Sequence, residues 1–214
     1  MGRLVEALAP EYGFRVAGFI DRETAARPDT WPRTDLAIDF SAGEAVPANV
    51  PHLAARGINV VIGATGWHQH EAGLREQVAR SGIGVVAAPN FAIGVNLFIA
   101  LVERAAELWR TQPAFGAWLH ELHHKAKRDA PSGTALALTE SMRRCGYEYP
   151  IDISSTRAGS IPGTHTLGFD AAGETIMLTH AARDRSIFAR GALEAALWLN
   201  GRRGWFTMRD VLGL

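Results

Sequence analysis

The stretch INVVIGATG, residues 58–66, decides the fold. Ile58, Val60, Val61 and Ile62 form a short apolar run rich in β-branched residues, and Gly63 and Gly66 close it with a turn. A run of this kind reads as a strand covered on both faces, with a loop at its carboxyl end. Just upstream, Gly57 ends a helical stretch over 43–56, with Ser41 as a candidate cap and Pro47 and Pro51 interrupting the pattern. Before it, Leu36–Phe40 is another short apolar strand, and Phe14–Ile20 reads as a third, set off by Gly13 from the helically spaced Leu4, Val5, Leu8 and Ala9. Downstream, a helix over 72–79 leads into the strand Ile83–Ala88. This alternation predicts an α/β domain, a Rossmann-like parallel sheet wound by helices.

The second half reads differently. Gly94–Leu108 is an amphipathic helix with Val95, Phe98, Val102, Ala105 and Leu108 on or near one face. Residues 117–124 precede a Pro- and Gly-bearing turn and a helix over 131–144. Segments 150–157, 164–169, 174–180 and 185–189 read as short strands between glycine-containing turns, and 193–199 and 207–212 as helix. The expectation is a second α+β domain on a mixed sheet, with residues 92–190 forming it and 1–91 plus 191–214 forming the first.

Composition narrows the function. Twenty-two basic residues balance 22 acidic ones among 214, which excludes a broad nucleic-acid or anionic-membrane surface. One cysteine, Cys145, excludes an internal disulfide framework. The apolar runs 58–64 and 83–88 are too short to span a bilayer, and no leader-like segment opens the chain. A cytoplasmic protein without nucleic-acid or membrane partners is expected.

The chemistry concentrates in His120–Ala135, HELHHKAKRDAPSGTA. His120, Glu121 and His124 spell H-E-x-x-H, which binds zinc only where an unbroken helix turns both imidazoles to one metal. Trp118, His120 and Leu122 alternate with Leu119, Glu121 and His123, which suits a strand as well; Asp129 and Pro131 end any helix soon afterwards. A zinc hydrolase is therefore the weaker alternative, and a solvated polar loop the bland one. The stronger reading is an anion site. Pro131 and Gly133 suit a helix start, whose free N–H groups at Ser132, Gly133 and Thr134 hold a carboxylate or phosphate, with His124 and Lys127 adding donors. A histidine beside a lysine is a reasonable proton source for a group being reduced.

Residues 121–135 closely resemble the E-x-H-H-x-x-K-x-D-A-P-S-G-T-A signature of the 4-hydroxy-tetrahydrodipicolinate reductase (dihydrodipicolinate reductase) family. Further likenesses run through Ile38–Ser41, Val61–Gly66, Ala88–Asn96, Arg157–Gly159, His165–Thr166 and Trp205–Leu212, nearly the whole chain. The resemblance implies NADPH- or NADH-dependent reduction of a small dicarboxylate in lysine and diaminopimelate biosynthesis, by a homotetramer. It implies that His123 is the acid protonating the ring and Lys127 the catalytic lysine. His124, Ser132, Gly133, Thr134 and Arg185 would hold the substrate. In a Rossmann-type domain, Asp21 and Arg22 stand where an acid meets the ribose 2′-OH and an arginine a 2′-phosphate, so either cofactor is accommodated. Gly63, Thr65, Gly66, Ala88, Asn90 and Phe91 would line the ribose and nicotinamide.

The family opens with a strand and a G-x-x-G-x-x-G turn. Of these only Met1–Arg3 has a counterpart here, Gly2 matching the last glycine, so the expected sheet lacks its first strand. An internal methionine taken as the start, a truncation, or a natural short relative (cofactor-free, binding or regulatory) each accounts for this. Weak NAD(P)H binding by the 214-residue chain is the expectation.

Overall fold

The structure, a computed structural model, describes all residues 1–214. In chain order its elements are α1 (Gly2–Leu8), α2 (Arg22–Ala25), β1 (Leu36–Asp39), α3 (Val46–Ala55), β2 (Asn59–Ile62), α4 (Glu71–Ser81), β3 (Gly84–Ala87) and α5 (Ile93–Trp109). Then follow β4 (Gly116–His123), α6 (Gly133–Arg144), β5 (Ile151–Arg157), β6 (Thr164–Ala171), β7 (Glu174–Ala181), α7 (Ser186–Trp198), β8 (Gly204–Phe206) and α8 (Met208–Leu212). They form two compact units, Met1–Ile93 with Ser186–Leu214, and Gly94–Arg185.

The first unit holds a parallel four-stranded sheet of order β1-β2-β3-β8. Its central strands are covered on both sides, as their unbroken apolar runs require. Val60, Ile62 and Val85 pack with Val46, Val50 and Leu53 of α3 and Leu74 and Val78 of α4. Val61 and Val86, pointing the other way, pack with Ala192, Ala195 and Ala196 of α7 and Met208 of α8. Alternate residues of one strand thus serve two separate cores.

Close approach explains one glycine in α7. A Cβ on Gly191 would overlap the carbonyl oxygen of Phe91. Backbone cannot yield there as a side-chain tip would. Gly191→Ala is therefore expected to destabilise the protein by about 1–3 kcal/mol. Thermal denaturation reads this as a fall in Tm of several degrees; an unchanged Tm would show that the loop yields freely.

Three expectations need correction. Phe14–Ile20 is not a strand: it lies outside the sheet, which ends at β1, and Val16, Phe19 and Ile20 are exposed. An extended segment becomes a strand only by hydrogen bonding to a neighbour. Here the segment pairs with no strand, and together with Leu36–Ser41 it lines a cavity of about 340 Å³. Residues 185–189 are likewise not a strand but the turn into α7 and its first residues. Consequently the boundary drawn between 190 and 191 falls inside that helix, and the whole of α7 belongs to the first unit. The short strand β8, absent from the sequence reading, pairs in parallel with β3 through Trp205 and Phe206.

The second unit holds a mixed sheet of order β5-β4-β6-β7, with β4–β5 parallel and the other pairs antiparallel. Ala117 and Leu119 of β4 and Leu167 and Phe169 of β6 pack under Phe98 and Val102 of α5 and Leu138 and Met142 of α6. Along β4 burial alternates strictly, so Glu121 and His123 continue the same inward row. Register sets Glu121 beside Ser155 and His165, and His123 beside Arg157. The inward row is apolar at one end and ionic at the other.

Candidate active site

At that ionic end, Glu121 is fully buried and Arg157 holds both its oxygens, at 2.6 Å to Oε1 and 3.0 Å to Oε2. The backbone N–H of Ser132 also donates to Oε1, at 3.3 Å. His123 Nδ1 makes a short hydrogen bond to Oε2. Ser132 completes the cluster: its Oγ caps α6 by accepting from the Ala135 N–H and lies 2.9 Å from His165 Nε2. The Ala130–Pro131 peptide before it is cis.

Charge follows from these contacts. Burial alone would raise the Glu121 carboxyl, yet Arg157, with Ser155 and His123, holds it down at about 2, so it is ionised at neutral pH. Burial pushes His123 below its ordinary value, against the opposing pull of Glu121. Burial, helped by the neighbouring His123, takes His165 to about 4, leaving it neutral. Glu121, His123 and His165 offer three ligand atoms within 4.8 Å of one another, a spacing that could admit a metal ion. Arg157 already fills the carboxylate, however, so the trio is an ion-paired network.

The zinc reading of His120, Glu121 and His124 fails on secondary structure. His120–His123 is strand, and four residues of strand separate two side chains by about 13 Å. Successive residues also face opposite ways: Glu121 points inward, while His120 Nε2 reaches Thr156 Oγ1 at 3.0 Å.

Lys127 follows in the loop between β4 and α6, its Nζ 2.8 Å from each oxygen of Asp129. That ammonium, above all, holds the Asp129 carboxyl below its usual range. Gly133 and Thr134 form the first turn of α6, and beyond Gly133's chain neighbours and that helix's own backbone no atom lies within 4 Å of where a Gly133 Cβ would stand. His123, Lys127, Ser132, Gly133 and Thr134 thus share the β4–α6 connection, with His124 half-buried directly after β4. Arg185 is exposed on the turn before α7, with no hydrogen bond or ion pair to this network.

In the first unit, Gly63, Thr65 and Gly66 follow β2, and Ala88, Asn90 and Phe91 follow β3, at the carboxyl edge of the parallel sheet. Thr65 and Gly66 are exposed, and Gly66 has φ +87°. Gly63 leaves room for the Phe40 ring, which a Cβ would overlap. Phe91 is buried in the core, edge-on to Phe40. Asn90 Oδ1 accepts from the Ala92 N–H at 2.9 Å. Gly2 opens α1. Asp21 caps α2, its Oδ1 accepting from Glu23 N, Thr24 N and Thr24 Oγ1, and these bonds lower its pKa. Arg22 is exposed beside it.

Glu121 was singled out only as part of the H-E-x-x-H reading, and Arg157 and His165 only within the family likeness; none was given a role in the reductase site. A signal for them existed. An acid in the inward phase of a strand, two residues after Leu119, needs a cationic partner once buried. The partner's identity depended on a pairing between strands 36 residues apart.

A parallel sheet ending in glycine-bearing loops, joined in one chain to a unit with an imidazole–lysine cluster at a helix N-terminus, defines a two-domain α/β oxidoreductase with a Rossmann-like half. Known proteins narrow the class. The family described as "Dihydrodipicolinate reductase, N-terminus" matches residues 1–91, and "Dihydrodipicolinate reductase, C-terminus" matches residues 94–212. The 4-hydroxy-tetrahydrodipicolinate reductase of Acidiphilium cryptum is 39% identical over an alignment of 239 positions, gaps included, covering 100% of this chain and 94% of that protein. That of Zymomonas mobilis is 35% identical over 240, covering 100% and 93%. Among solved structures, a dipicolinate-bound dihydrodipicolinate reductase from Paenisporosarcina sp. TG-14 superposes with a TM-score of 0.73 at 20% identity, over 94% of this chain and 83% of that one, a likeness of fold. The chain belongs to the dihydrodipicolinate reductase family. No helix is long and apolar enough to cross a membrane.

Proposed function

We propose that this chain reduces 4-hydroxy-tetrahydrodipicolinate to tetrahydrodipicolinate with NADH or NADPH, a step of lysine and diaminopimelate biosynthesis. The observation that carries this is the match of the entire chain to reductases of that name. The cofactor's chemistry is delivery of a hydride to the substrate ring; a proton from the protein and loss of the substrate hydroxyl as water complete the balance. His123 is the proton donor. Lys127 binds a substrate carboxylate, exchanging its contact with Asp129 for one with the ligand, and the N–H groups of Gly133 and Thr134 take an anionic oxygen at the start of α6. His124 and Arg185 contribute further cationic or donor groups to a ligand that carries two carboxylates.

Local features support the cofactor reading. Gly66 has open space where a Cβ would stand, and Thr65 is accessible beside it, so backbone there can approach a ribose closely. Gly63, Thr65, Gly66, Ala88, Asn90 and Phe91 would hold the nicotinamide and ribose, and Gly2 would face the phosphates. Asp21 and Arg22 would meet the adenine ribose. Arg22 has no ion-pair partner and is available to a 2′-phosphate, while the second oxygen of Asp21 is available to a 2′-hydroxyl. Homotetramers in a cytoplasmic setting complete the proposal, with Met177, exposed on the face of β7 opposite the one that carries Phe169 of β6, as apolar contact surface.

The test is spectrophotometric. Oxidation of NADH or NADPH by the purified chain, dependent on added substrate, is the expected result. No oxidation of either cofactor at any substrate concentration would favour a binding protein without catalysis.

A further inference from the structure

We propose that Glu121, clamped by Arg157, is the positioning residue for His123: its carboxylate accepts a hydrogen bond from Nδ1–H and leaves Nε2 as the atom that exchanges a proton with substrate. This deepens the reductase reading and rests on it for the identity of the proton acceptor. The geometry itself belongs to the protein alone.

Four features carry the inference. First, Glu121 is fully buried, two residues before His123 on the same face of β4, so its reach to the ring is set by the pleat rather than by a flexible loop. Second, its two oxygens are differentiated. Oε1 accepts from Arg157 and the Ser132 N–H, while Oε2 accepts from Arg157 and from His123 Nδ1. An ionised carboxylate is acceptor only, so Nδ1 must carry hydrogen, and neutral His123 is the Nδ1–H tautomer.

Third, Arg157 is itself anchored, by Nη2 to the Asp129 carbonyl at 2.6 Å and by Nη1 to the Thr156 carbonyl at 3.0 Å. The clamp therefore cannot swing away without leaving a buried carboxylate unpaired. Fourth, the opposite ring atom faces a glycine. A Cβ on Gly163 would stand 3.0 Å from Nε2, and Gly163 has φ +152°, a conformation side chains rarely adopt. Its lack of a side chain leaves Nε2 uncovered on that side. One nitrogen is locked by a carboxylate and the other is kept bare.

The charged and titratable groups around the ring are Glu121 on its own strand, Arg157 from β5, His165 from β6 and Lys127 from the following loop. Of these only Glu121 favours the imidazolium. Arg157 and Lys127 oppose it, as would a second charge on His165. Removing the negative charge while leaving the cations lowers the pKa of His123. The acid form is then lost at lower pH, so the alkaline limb of kcat moves to lower pH.

The test is Glu121→Gln in the full chain, with ¹⁵N-histidine spectra and steady-state kinetics. In wild type, neutral His123 is expected to show a protonated, pyrrole-type Nδ1 and a bare, pyridine-type Nε2. In the variant, the oxygen of the new side-chain amide still accepts from Arg157 while its NH₂ donates to Nδ1, so the proton moves to Nε2. We expect kcat to fall on the order of 10²- to 10⁴-fold with KM held within about threefold, because the loss falls on proton transfer rather than on binding. A wild-type His123 with its proton on Nε2 overturns the proposal, and that spectrum needs no variant to fold. An unchanged tautomer and kcat in a folded variant overturn it equally. The spectra are read on ligand-free protein. A wild type that oxidises neither cofactor therefore overturns the reductase reading, and the tautomer then decides the positioning role by itself.

Discussion

His123→Ala is expected to lower kcat on the order of 10²- to 10⁴-fold, the usual contribution of a positioned general acid. The fold should survive. Glu121 keeps Arg157 on both oxygens and the Ser132 N–H on Oε1, so no buried charge is stranded when the imidazole goes. Circular dichroism and thermal denaturation check the fold, and stopped or continuous assays of cofactor oxidation check turnover. Near-wild-type turnover would remove His123 from the role of proton donor. The contrast with Arg157 is instructive. Removing that side chain leaves Glu121 buried with its main counter-charge gone, so its failure would report on folding before catalysis.

Lys127→Ala should act on a different quantity. Its ammonium lies in the loop before α6 and makes its contacts with Asp129, a mostly exposed carboxylate that water solvates once the lysine is gone. Stability should therefore change little. A charge-assisted contact to a substrate carboxylate is worth about 1.5–3 kcal/mol, so kcat/KM should fall by about 10- to 150-fold from binding alone. It should fall further if the lysine also orients the ring for hydride transfer. Full kinetic curves at saturating cofactor separate the two parts. Unaltered kcat/KM would place the carboxylate elsewhere, with Arg185 the next residue to change.

Much of this architecture is legible along the chain because the responsible signals are local. The β-branched run at 58–62 and the glycines after it mark a strand and its loop without reference to anything distant. The alternation from Leu119 to His123 suits a strand as well as a helix, and the structure makes it a strand. Phe14–Ile20 shows the converse. Its composition is that of a strand, but strand is a property of a pair, and this segment lines a cavity without pairing to any strand. Residues 185–189 misled for a related reason. Ile187 and Phe188 read as β-formers within a five-residue window, while the small residues and leucines after Gly191 give α7 the helical face that packs on the sheet.

By itself, then, the sequence determined the class of each half, the strand and helix order around the site, and the family to which the 121–135 signature points. These rest on periodicity and on contiguous motifs, which short-range backbone preference and side-chain spacing encode. Only the tertiary structure decided which side chains meet. Arg157 and His165 join Glu121 and His123 because β5 pairs in parallel and β6 antiparallel with β4, in one register each. A shift of one residue in either register would turn a member of the cluster to the opposite face. That register is set by Leu119, Leu167 and Phe169 seeking the apolar space beneath α5 and α6, so hydrophobic packing at one end of the sheet positions the ionic network at the other.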